Sequence, residues 1–288
     1  MTQYHGRKAA VSVIVPCFFC KETIDRAIAS VAQQVMLPEE LILVEDASPD
    51  GGRTMEHLHQ LRQRYEGRLN IIIVALEKNG GPGAARNAGW NIARQPYIAF
   101  LDADDAWHPR KIEIQYQYVV SHDKVVLCGH SHKILGSLSD LPDWQITVCK
   151  DKPVSRLSLL LSNPFVTPSV MIKRDIPYRF MDGRRYMEDH LLWMQIACAG
   201  LPVVDLSAEL AAIYKFSFGE SGLSSNIPEM GKADLANYRQ IYREGSINLM
   251  QLAGLTIYSM LKHLRRLGIL QLHKLPRSSS QQKPGWHQ

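Results

Sequence analysis

The sequence predicts an α/β fold in which one domain carries a mostly parallel central sheet and is followed by a C-terminal helical extension. In the first hundred residues, short continuous apolar runs alternate with segments whose apolar residues recur every three or four positions. This alternation is typical of the strands and helices of a doubly wound parallel sheet. The apolar runs end in polar or glycine-rich segments, and open parallel sheets bind ligands beyond the carboxyl ends of their strands. A chain of 288 residues is long enough for one such domain with a substantial core.

Four strands and four helices are predicted in the first part of the chain. The first strand is apolar throughout, as expected for a strand covered on both faces. The fourth helix begins near Pro109, because proline is favoured in the first turn of a helix. The predicted strands are 11–16, 41–44, 71–76 and 97–101, and the first three helices are 24–35, 53–65 and 83–93.

The second half of the chain has a less regular pattern. It predicts strands at 125–128, 168–172 and 210–216, a helix at 189–199, and one or two helices over 231–267. The end of the chain is rich in Pro, Ser and Gln and is expected to be disordered. The predicted division is a domain over 1–225, a helical extension over 226–270 and a basic tail over 271–288.

Three aspartates follow the fourth predicted strand, in the run Ile-Ala-Phe-Leu-Asp102-Ala-Asp104-Asp105. Carboxylates so close together repel one another unless a cation lies among them. Asp102 and Asp104 are two positions apart, so in an extended segment both project to the same side. The pattern favours a divalent cation with a phosphate-bearing ligand over three unrelated turn and cap residues.

Polar residues also lie at the ends of the first three strands. The first strand ends at Pro16, the second ends in Glu-Asp46-Ala-Ser-Pro-Asp, and the third is followed by a glycine-rich loop with Arg86 in the next helix. Asp46 is suited to accept a hydrogen bond from a nucleobase or a ribose, or to begin the helix near Gly51. The loop lacks the glycine spacing of the dinucleotide fingerprint, which argues against a dehydrogenase.

A second acidic motif, Glu188-Asp189-His190-Leu-Leu-Trp193, lies in the second half of the chain. Asp189 comes at the start of an apolar helix, where the helix dipole favours a carboxylate. The motif is suited either to a plain helix start or to a reactive carboxylate, and a lone histidine at 190 is more often packed than a ligand.

Taken together, these segments resemble the family 2 glycosyltransferases, which have the Rossmann-like, nucleotide-binding GT-A fold. The resemblance covers roughly residues 11–224. It implies a hexosyltransferase-type, inverting transfer of a sugar from a nucleotide diphosphate, with UDP expected, to a glycan or lipid-linked acceptor in bacterial cell-surface polysaccharide synthesis. Its motifs are Val11-Ser-Val-Ile-Val-Pro16, Ser30-Val-Ala-Gln-Gln34, Glu45-Asp46-Ala-Ser-Pro-Asp50, Asn79-x-Gly-x-x-x-Ala-Arg86-Asn87, Phe100-Leu-Asp102-Ala-Asp104-Asp105 and Glu188-Asp189-x-x-Leu-Trp193.

The resemblance also implies a role for each matching residue. Asp104 is expected to ligate Mn²⁺ or Mg²⁺ on the diphosphate. Asp189 is expected to act as the general base that deprotonates the acceptor hydroxyl, on the side opposite the leaving group, which inverts the anomeric centre. The donor is expected to contact Pro16, Asp46 (at the base), Arg86 and Asp102 (at the ribose).

Some positions depart from the family pattern. The family usually has an aromatic residue followed by Asn after the first proline, whereas this chain has Cys17-Phe18-Phe19 and lacks the Asn. The usual Asp-Asp pair begins with Glu45, and the late His that often follows a Tyr-Arg pair is missing after Tyr214 and Lys215. An inactive protein that binds sugar nucleotides therefore stays open. So does a receiver-like signalling domain, although its acidic pair would follow the first strand rather than the second.

The distribution of charge indicates which kinds of partner the C-terminal region could bind. The net charge is +5, no acidic residue occurs after Glu244, and the apolar segment 247–261 is followed by basic residues at 262–266. That segment is too short for a span of about 20 residues and suits either packing on the domain or docking on an anionic membrane surface. No aromatic interleaving supports nucleic-acid binding.

The N-terminus and the cysteines point to the cytoplasm. The first ten residues lack the features of a signal peptide. Five cysteines at scattered spacings favour free thiols, and the pair Cys17-x-x-Cys20 has no partner motif for zinc or redox chemistry. We expect a cytoplasmic protein, peripheral on the inner face of the membrane if its C-terminal helix binds lipid.

Overall fold

The computed structural model describes residues 8–136, 142, 144, 150–215 and 226–274. The strands are β1 Ala9–Cys17, β2 Pro38–Glu45, β3 Ile71–Ala75, β4 Tyr97–Phe100, β5 Ala106–Trp107, β6 Leu127–Gly136, β7 Asp151–Pro153, β8 Met171–Lys173 and β9 Val203–Lys215. The helices are α1 Ile24–Ala32, α2 Arg53–Arg64, α3 Gly81–Ile92, α4 Lys111–Ser121, α5 Arg156–Leu161, α6 Glu188–Cys198, α7 Ile227–Arg243 and α8 Leu249–Lys274. A 3-10 turn covers Thr167–Ser169.

The strands form one mixed sheet in the order β3-β2-β1-β4-β8-β6-β9-β5, with β7 paired to β9. The first four strands in this order are parallel neighbours. Cys17 lies opposite Glu45, which in turn lies opposite Ala75. Because these strands end level with one another, the residues that follow them meet at one edge of the sheet.

The rest of the sheet contains both parallel and antiparallel strand pairs. β8 is antiparallel to both β4 and β6, whereas β6 and β9 are parallel. The short strands β5 and β7 pair antiparallel with β9. The predicted α/β fold is confirmed, and its parallel part lies where the sequence alternates most clearly. β5 and β7 went unpredicted because two or three residues are too few to show an alternation.

The core lies on both faces of the sheet, which explains why β1 is apolar throughout. Val13 and Val15 join a cluster with α1, α2 and α4, whereas Ile14 joins a second cluster with α3 and α6. Gly89 lets α3 approach the sheet closely, because a Cβ atom there would lie 2.6 Å from Cγ2 of Ile14. This close packing fixes α3, whose first turns carry Arg86.

The helical extension consists of α7 and α8, which pack against each other. α8 continues to Lys274, so it passes the boundary predicted at 270. The predicted boundary at 225–226 and the predicted tail from 275 onward lie partly or wholly outside the described residues, so both stay predictions. Within those ranges, no helix is both long enough and apolar enough to cross a membrane.

Candidate functional site

An open pocket of about 1090 Å³ lies at the carboxyl ends of the parallel strands. The ends of strands β1, β2 and β4 form one wall of the pocket, and the start of α6 with the segment 163–168 forms another. Every residue that the sequence analysis selected lines this pocket: Pro16, Asp46, Arg86, Asp102, Asp104 and Asp189.

Asp46 holds the glycine-rich loop against the end of β2. Its carboxylate accepts hydrogen bonds from the backbone amides of Gly80 at 2.7 Å and Gly81 at 2.8 Å, and from Nδ2 of Asn79 at 2.9 Å. Burial raises the pKa of Asp46, and the two amides oppose this shift. Each carboxylate oxygen has two lone pairs, so the group can still accept a bond from a ligand. The helix start near Gly51 is served by Asp50, which accepts from the amide of Thr54 at 2.9 Å.

Arg86 joins the two walls of the pocket. It is buried, its Nη2 lies 2.7 Å from Oδ1 of Asp102, and its Nη1 lies 3.0 Å from Oε1 of Glu188. Burial raises the pKa of Glu188 to about 7, against the opposing effect of the nearby guanidinium. Since both terminal nitrogens hold carboxylates, Arg86 positions Asp102 and the start of α6.

The three clustered aspartates have different surroundings. Asp102 is partly exposed and binds Arg86 through one oxygen. Asp105 is buried and accepts a hydrogen bond from the backbone amide of Tyr214 at 3.0 Å. Asp104 is exposed in the pocket, and its backbone carbonyl accepts from Nη2 of Arg26 at 2.5 Å. Separate partners therefore relieve the expected repulsion at Asp102 and Asp105.

The acidic residues of the pocket suit a cation that is shared with a substrate. Among the described residues, no group of three or more His, Cys, Asp or Glu side chains could hold a metal ion alone. Mg²⁺ commonly binds one or two carboxylates and completes its coordination with water and substrate phosphates. Asp102 and Asp104 at one strand end match that donor set.

Asp189 lies in the first turn of α6, after Met187, whose φ of 56° gives the sharp turn into the helix. Its Oδ2 accepts hydrogen bonds from Nδ2 of Asn163 at 3.4 Å and from Oγ1 of Thr167 at 3.3 Å. Both contacts are long, and the side chain is partly exposed to the pocket. A carboxylate held in this way can accept a proton from a hydroxyl that enters the pocket.

A family model described as Glycosyl transferase family 2 matches residues 12–163, more than half of the chain. The chain belongs to glycosyltransferase family 2. The amylovoran biosynthesis glycosyltransferase AmsE of Erwinia amylovora is 31% identical over 191 residues, which cover 64% of this chain and 68% of AmsE. Escherichia coli WfaP, a UDP-Glc:alpha-D-GlcNAc-diphosphoundecaprenol beta-1,3-glucosyltransferase, is 27% identical over 197 residues, or 66% of this chain and 71% of WfaP.

A solved structure shares the fold of this family 2 glycosyltransferase. S. aureus TarS 1-349 in complex with UDP-GlcNAc superposes with a TM-score of 0.68 at 19% identity, and covers 93% of this chain and 76% of the TarS chain. At that identity the likeness shows the GT-A fold alone. Family membership excludes the receiver-like signalling domain that the acidic pair had left open.

Several pocket residues of the glycosyltransferase were missed by the sequence analysis. Asn163 and Thr167 lie in an irregular segment that has no periodic pattern. Arg185 lines the pocket and donates to Oδ1 of Asn79 at 2.5 Å, and Arg26 stacks 3.5 Å above the ring of Tyr214. Only the family spacing around Glu188 could have drawn attention to Arg185, three positions earlier.

Three residues that the sequence analysis considered as ligands or redox groups, His190, Cys17 and Cys20, are buried. Nε2 of His190 lies 2.6 Å from the carbonyl oxygen of Leu159, and burial lowers the pKa of this histidine. Cys17 and Cys20 are buried free thiols, and burial raises the pKa of Cys17. The packed histidine and the free thiols agree with the sequence predictions.

Proposed function

We propose that this family 2 glycosyltransferase is an active, inverting enzyme that moves a sugar from a UDP-sugar to a hydroxyl of a glycan or lipid-linked acceptor. The observation that carries the proposal is that Asp102, Asp104 and Asp189 line the same pocket, the first two at the end of β4 and the third at the start of α6. A donor and an acceptor hydroxyl can therefore meet between a cation-binding wall and a proton-accepting wall.

The strand-end wall would bind the donor. The TarS complex with UDP-GlcNAc, on the same fold, supports a UDP-sugar. Asp46 would contact the base beside the loop whose amides donate to it, and Pro16, which lines the same pocket, would contact the donor as well. The second oxygen of Asp102 is suited to a ribose hydroxyl while its first oxygen stays on Arg86. Arg185 adds a positive charge at the pocket, where it can approach a diphosphate.

Asp104 would hold Mn²⁺ or Mg²⁺ together with the diphosphate. When bound, such a cation neutralises the charge that develops on the departing diphosphate. The chain contributes a rigid turn, because Asp105 is tied to β9 through the amide of Tyr214 and the carbonyl of Asp104 is tied to Arg26. This support keeps the Asp104 carboxylate at the strand end.

Asp189 would accept the proton of the acceptor hydroxyl. Asn163 and Thr167 orient its Oδ2, and Arg86 holds the neighbouring Glu188 on the other side of the helix start. As the proton moves to Asp189, the hydroxyl oxygen attacks the anomeric carbon and the bond to the diphosphate breaks. Attack from the wall opposite the leaving group inverts the anomeric centre.

The relatives support an acceptor in bacterial surface polysaccharide synthesis. AmsE is named for amylovoran biosynthesis, and the acceptor in the name of WfaP is alpha-D-GlcNAc-diphosphoundecaprenol, a sugar carried on a lipid diphosphate. We therefore place the enzyme in the cytoplasm at the inner face of the membrane, where such an acceptor would be reached.

A thermal-shift panel of nucleotide sugars with and without Mn²⁺ tests the proposal. We expect one UDP-sugar to raise the melting temperature more in the presence of Mn²⁺, and to release UDP when an acceptor from a lipid-linked panel is added. The Asp189→Asn variant is the matched control, because it should bind the donor without transferring the sugar. Donor binding by the wild type without transfer to any acceptor would favour the inactive binding protein instead.

A further inference from the structure

Helix α8 has one face fixed against the rest of the protein. Ser259 is buried and donates to Oδ2 of Asp234 on α7 at 2.7 Å, and Nζ of Lys262 lies 3.0 Å from the same oxygen. His263 packs on Gly231, where a Cβ atom would lie 2.8 Å from its Nδ1. These contacts determine which side of α8 faces α7.

The opposite side of α8 is apolar and exposed. Its six large side chains have exposed fractions between 52% and 83%, and Ala253 and Gly254 between them are exposed as well. From position 249 to 264 this side carries no charged residue, since Lys262 is turned toward Asp234. An exposed apolar surface of this extent is uncommon on a protein that stays in water. The bare face of α8 comprises Leu249, Met250, Ile257, Met260, Leu261 and Leu264.

The charged residues of α8 are all basic in the sequence, and no acidic residue occurs after Glu244. Arg265 is exposed, next to the last side chain of the bare face. A second copy of the chain would bring the same cations and no acidic residue from this segment to meet them. An anionic lipid surface offers both an apolar layer and negative head groups.

We propose that the bare face of α8 docks on a membrane surface rich in anionic phospholipid. No helix within the described ranges suits a membrane crossing, so α8 would lie in the plane of the interface. Burial of its apolar side chains supplies the affinity, and Arg265 with the following basic residues selects negatively charged lipid.

The docked helix would hold the pocket near the lipid. Met230 lines the pocket, and the next residue, Gly231, packs on His263 of α8. The part of α8 around His263 therefore lies close to the pocket. This arrangement would bring a lipid-linked acceptor toward Asp189, a consequence that rests on the proposed function, whereas the docking itself does not.

Flotation of the full chain with vesicles tests the docking. The vesicles are equal parts phosphatidylglycerol and phosphatidylcholine, or phosphatidylcholine alone. We expect the wild type to float at least tenfold better with the anionic vesicles. The variant Ile257→Gln/Leu261→Gln/Leu264→Gln should bind them at least tenfold more weakly. The matched control Val120→Gln/Ile134→Gln changes residues that are 53% and 62% exposed on α4 and β6, and should bind within twofold of the wild type.

Two results would overturn the docking: a wild type that does not float with anionic vesicles, or a triple variant that floats as well as the wild type. Light scattering measures the oligomeric state and so tests the alternative, a second copy of the chain on the bare face. That alternative would hold if the wild type were a dimer that does not bind vesicles and the triple variant were a monomer. Circular dichroism and UDP binding confirm that each variant is folded. If the triple variant does not fold, Leu264→Gln alone, near the end of the helix, should still weaken vesicle binding about threefold.

Discussion

The two walls of the pocket are built in different ways. The proposed donor wall consists of neighbouring strand ends, where Asp46, Asp102 and Asp104 are held level by the register of parallel strands. The proposed acceptor wall has one proposed base, Asp189, whose side chain accepts hydrogen bonds from the distant segment 163–167. Replacement of one residue on the donor wall should therefore weaken donor binding only in part, whereas replacement of Asp189 should stop the transfer of the sugar.

Replacement of the proposed base should have the largest effect. We expect Asp189→Asn to reduce sugar transfer by about 10³-fold or more, because the amide cannot accept the proton of the acceptor. Transfer is measured as UDP released in the presence of acceptor. Asn163→Ala is the control for its surroundings and should cost less than tenfold. Near wild-type transfer by Asp189→Asn would move the base to another residue.

Replacement of the proposed metal ligand should come next. Asp104→Asn is expected to lower transfer about 10²-fold and to raise the Mn²⁺ concentration needed for half-maximal activity, because a neutral amide holds a divalent cation weakly. Asp105→Asn is the contrasting variant, since its carboxylate supports the amide of Tyr214. Its amide oxygen can still accept that hydrogen bond, so the turn that supports Asp104 is kept and the Mn²⁺ requirement should be unchanged. An unchanged Mn²⁺ requirement in Asp104→Asn would refute the ligand assignment.

Arg86 connects the walls, so its loss should affect both. Arg86→Gln leaves Asp102 and the buried Glu188 without their shared cation, and removal of one partner of a buried ion pair costs about 3–5 kcal/mol of unfolding free energy. Urea denaturation measures this change. Lys232→Gln breaks an exposed ion pair with Glu229 on α7 and should give no measurable change. Equal stability of the two variants would show that Arg86 does not join the walls.

Replacement of Asp46 should have a smaller effect, which is limited to the affinity for the donor. Asp46→Asn weakens the bonds to the amides of Gly80 and Gly81 and is expected to reduce UDP affinity about tenfold, or 1.4 kcal/mol. Calorimetry measures the affinity. Asp50→Asn, on the same loop but at the start of α2, is the control and should bind UDP as the wild type does. A loss of the same size in both variants would mean that the loop acts only as structure.

The smallest effect should appear in the pH dependence of stability. The pKa of Glu188 is about 7 in the folded chain, above its ordinary value of 4.5, so the folded state binds the proton more tightly than the unfolded state. The stability that this proton contributes is fully present below pH 4.5 and is lost as the pH rises through 7. The unfolding free energy of the wild type, relative to Glu188→Gln, should therefore fall between pH 5 and 8. If this difference in unfolding free energy stayed constant or rose with pH, the raised pKa of Glu188 would be contradicted.

The two walls also differ in how far the sequence could predict them. On the donor wall, apolar strands that end in aspartates indicated both the fold and the place of Asp46, Asp102 and Asp104, because parallel strand ends meet at one edge. On the acceptor wall, Asp189 was found through its motif, but Asn163 and Thr167 were not. Their positions follow from tertiary packing of an irregular segment, which leaves no period in the sequence.

The same limit applies to Arg86. The sequence placed it at the donor, whereas its two carboxylate partners lie 16 and 102 positions away along the chain. A pairing between such distant residues depends on how α6 packs beside α3, so only the folded chain shows that Arg86 positions other groups.

Calorimetric titration of UDP in the presence of Mn²⁺, with the Asp189→Asn and Asp104→Asn variants side by side, tests the division between the walls most directly. Asp189→Asn should bind UDP within twofold of the wild type, and Asp104→Asn should bind at least tenfold more weakly. If Asp189→Asn lost UDP binding, or if Asp104→Asn kept it, donor binding and proton transfer would not be divided between the two walls.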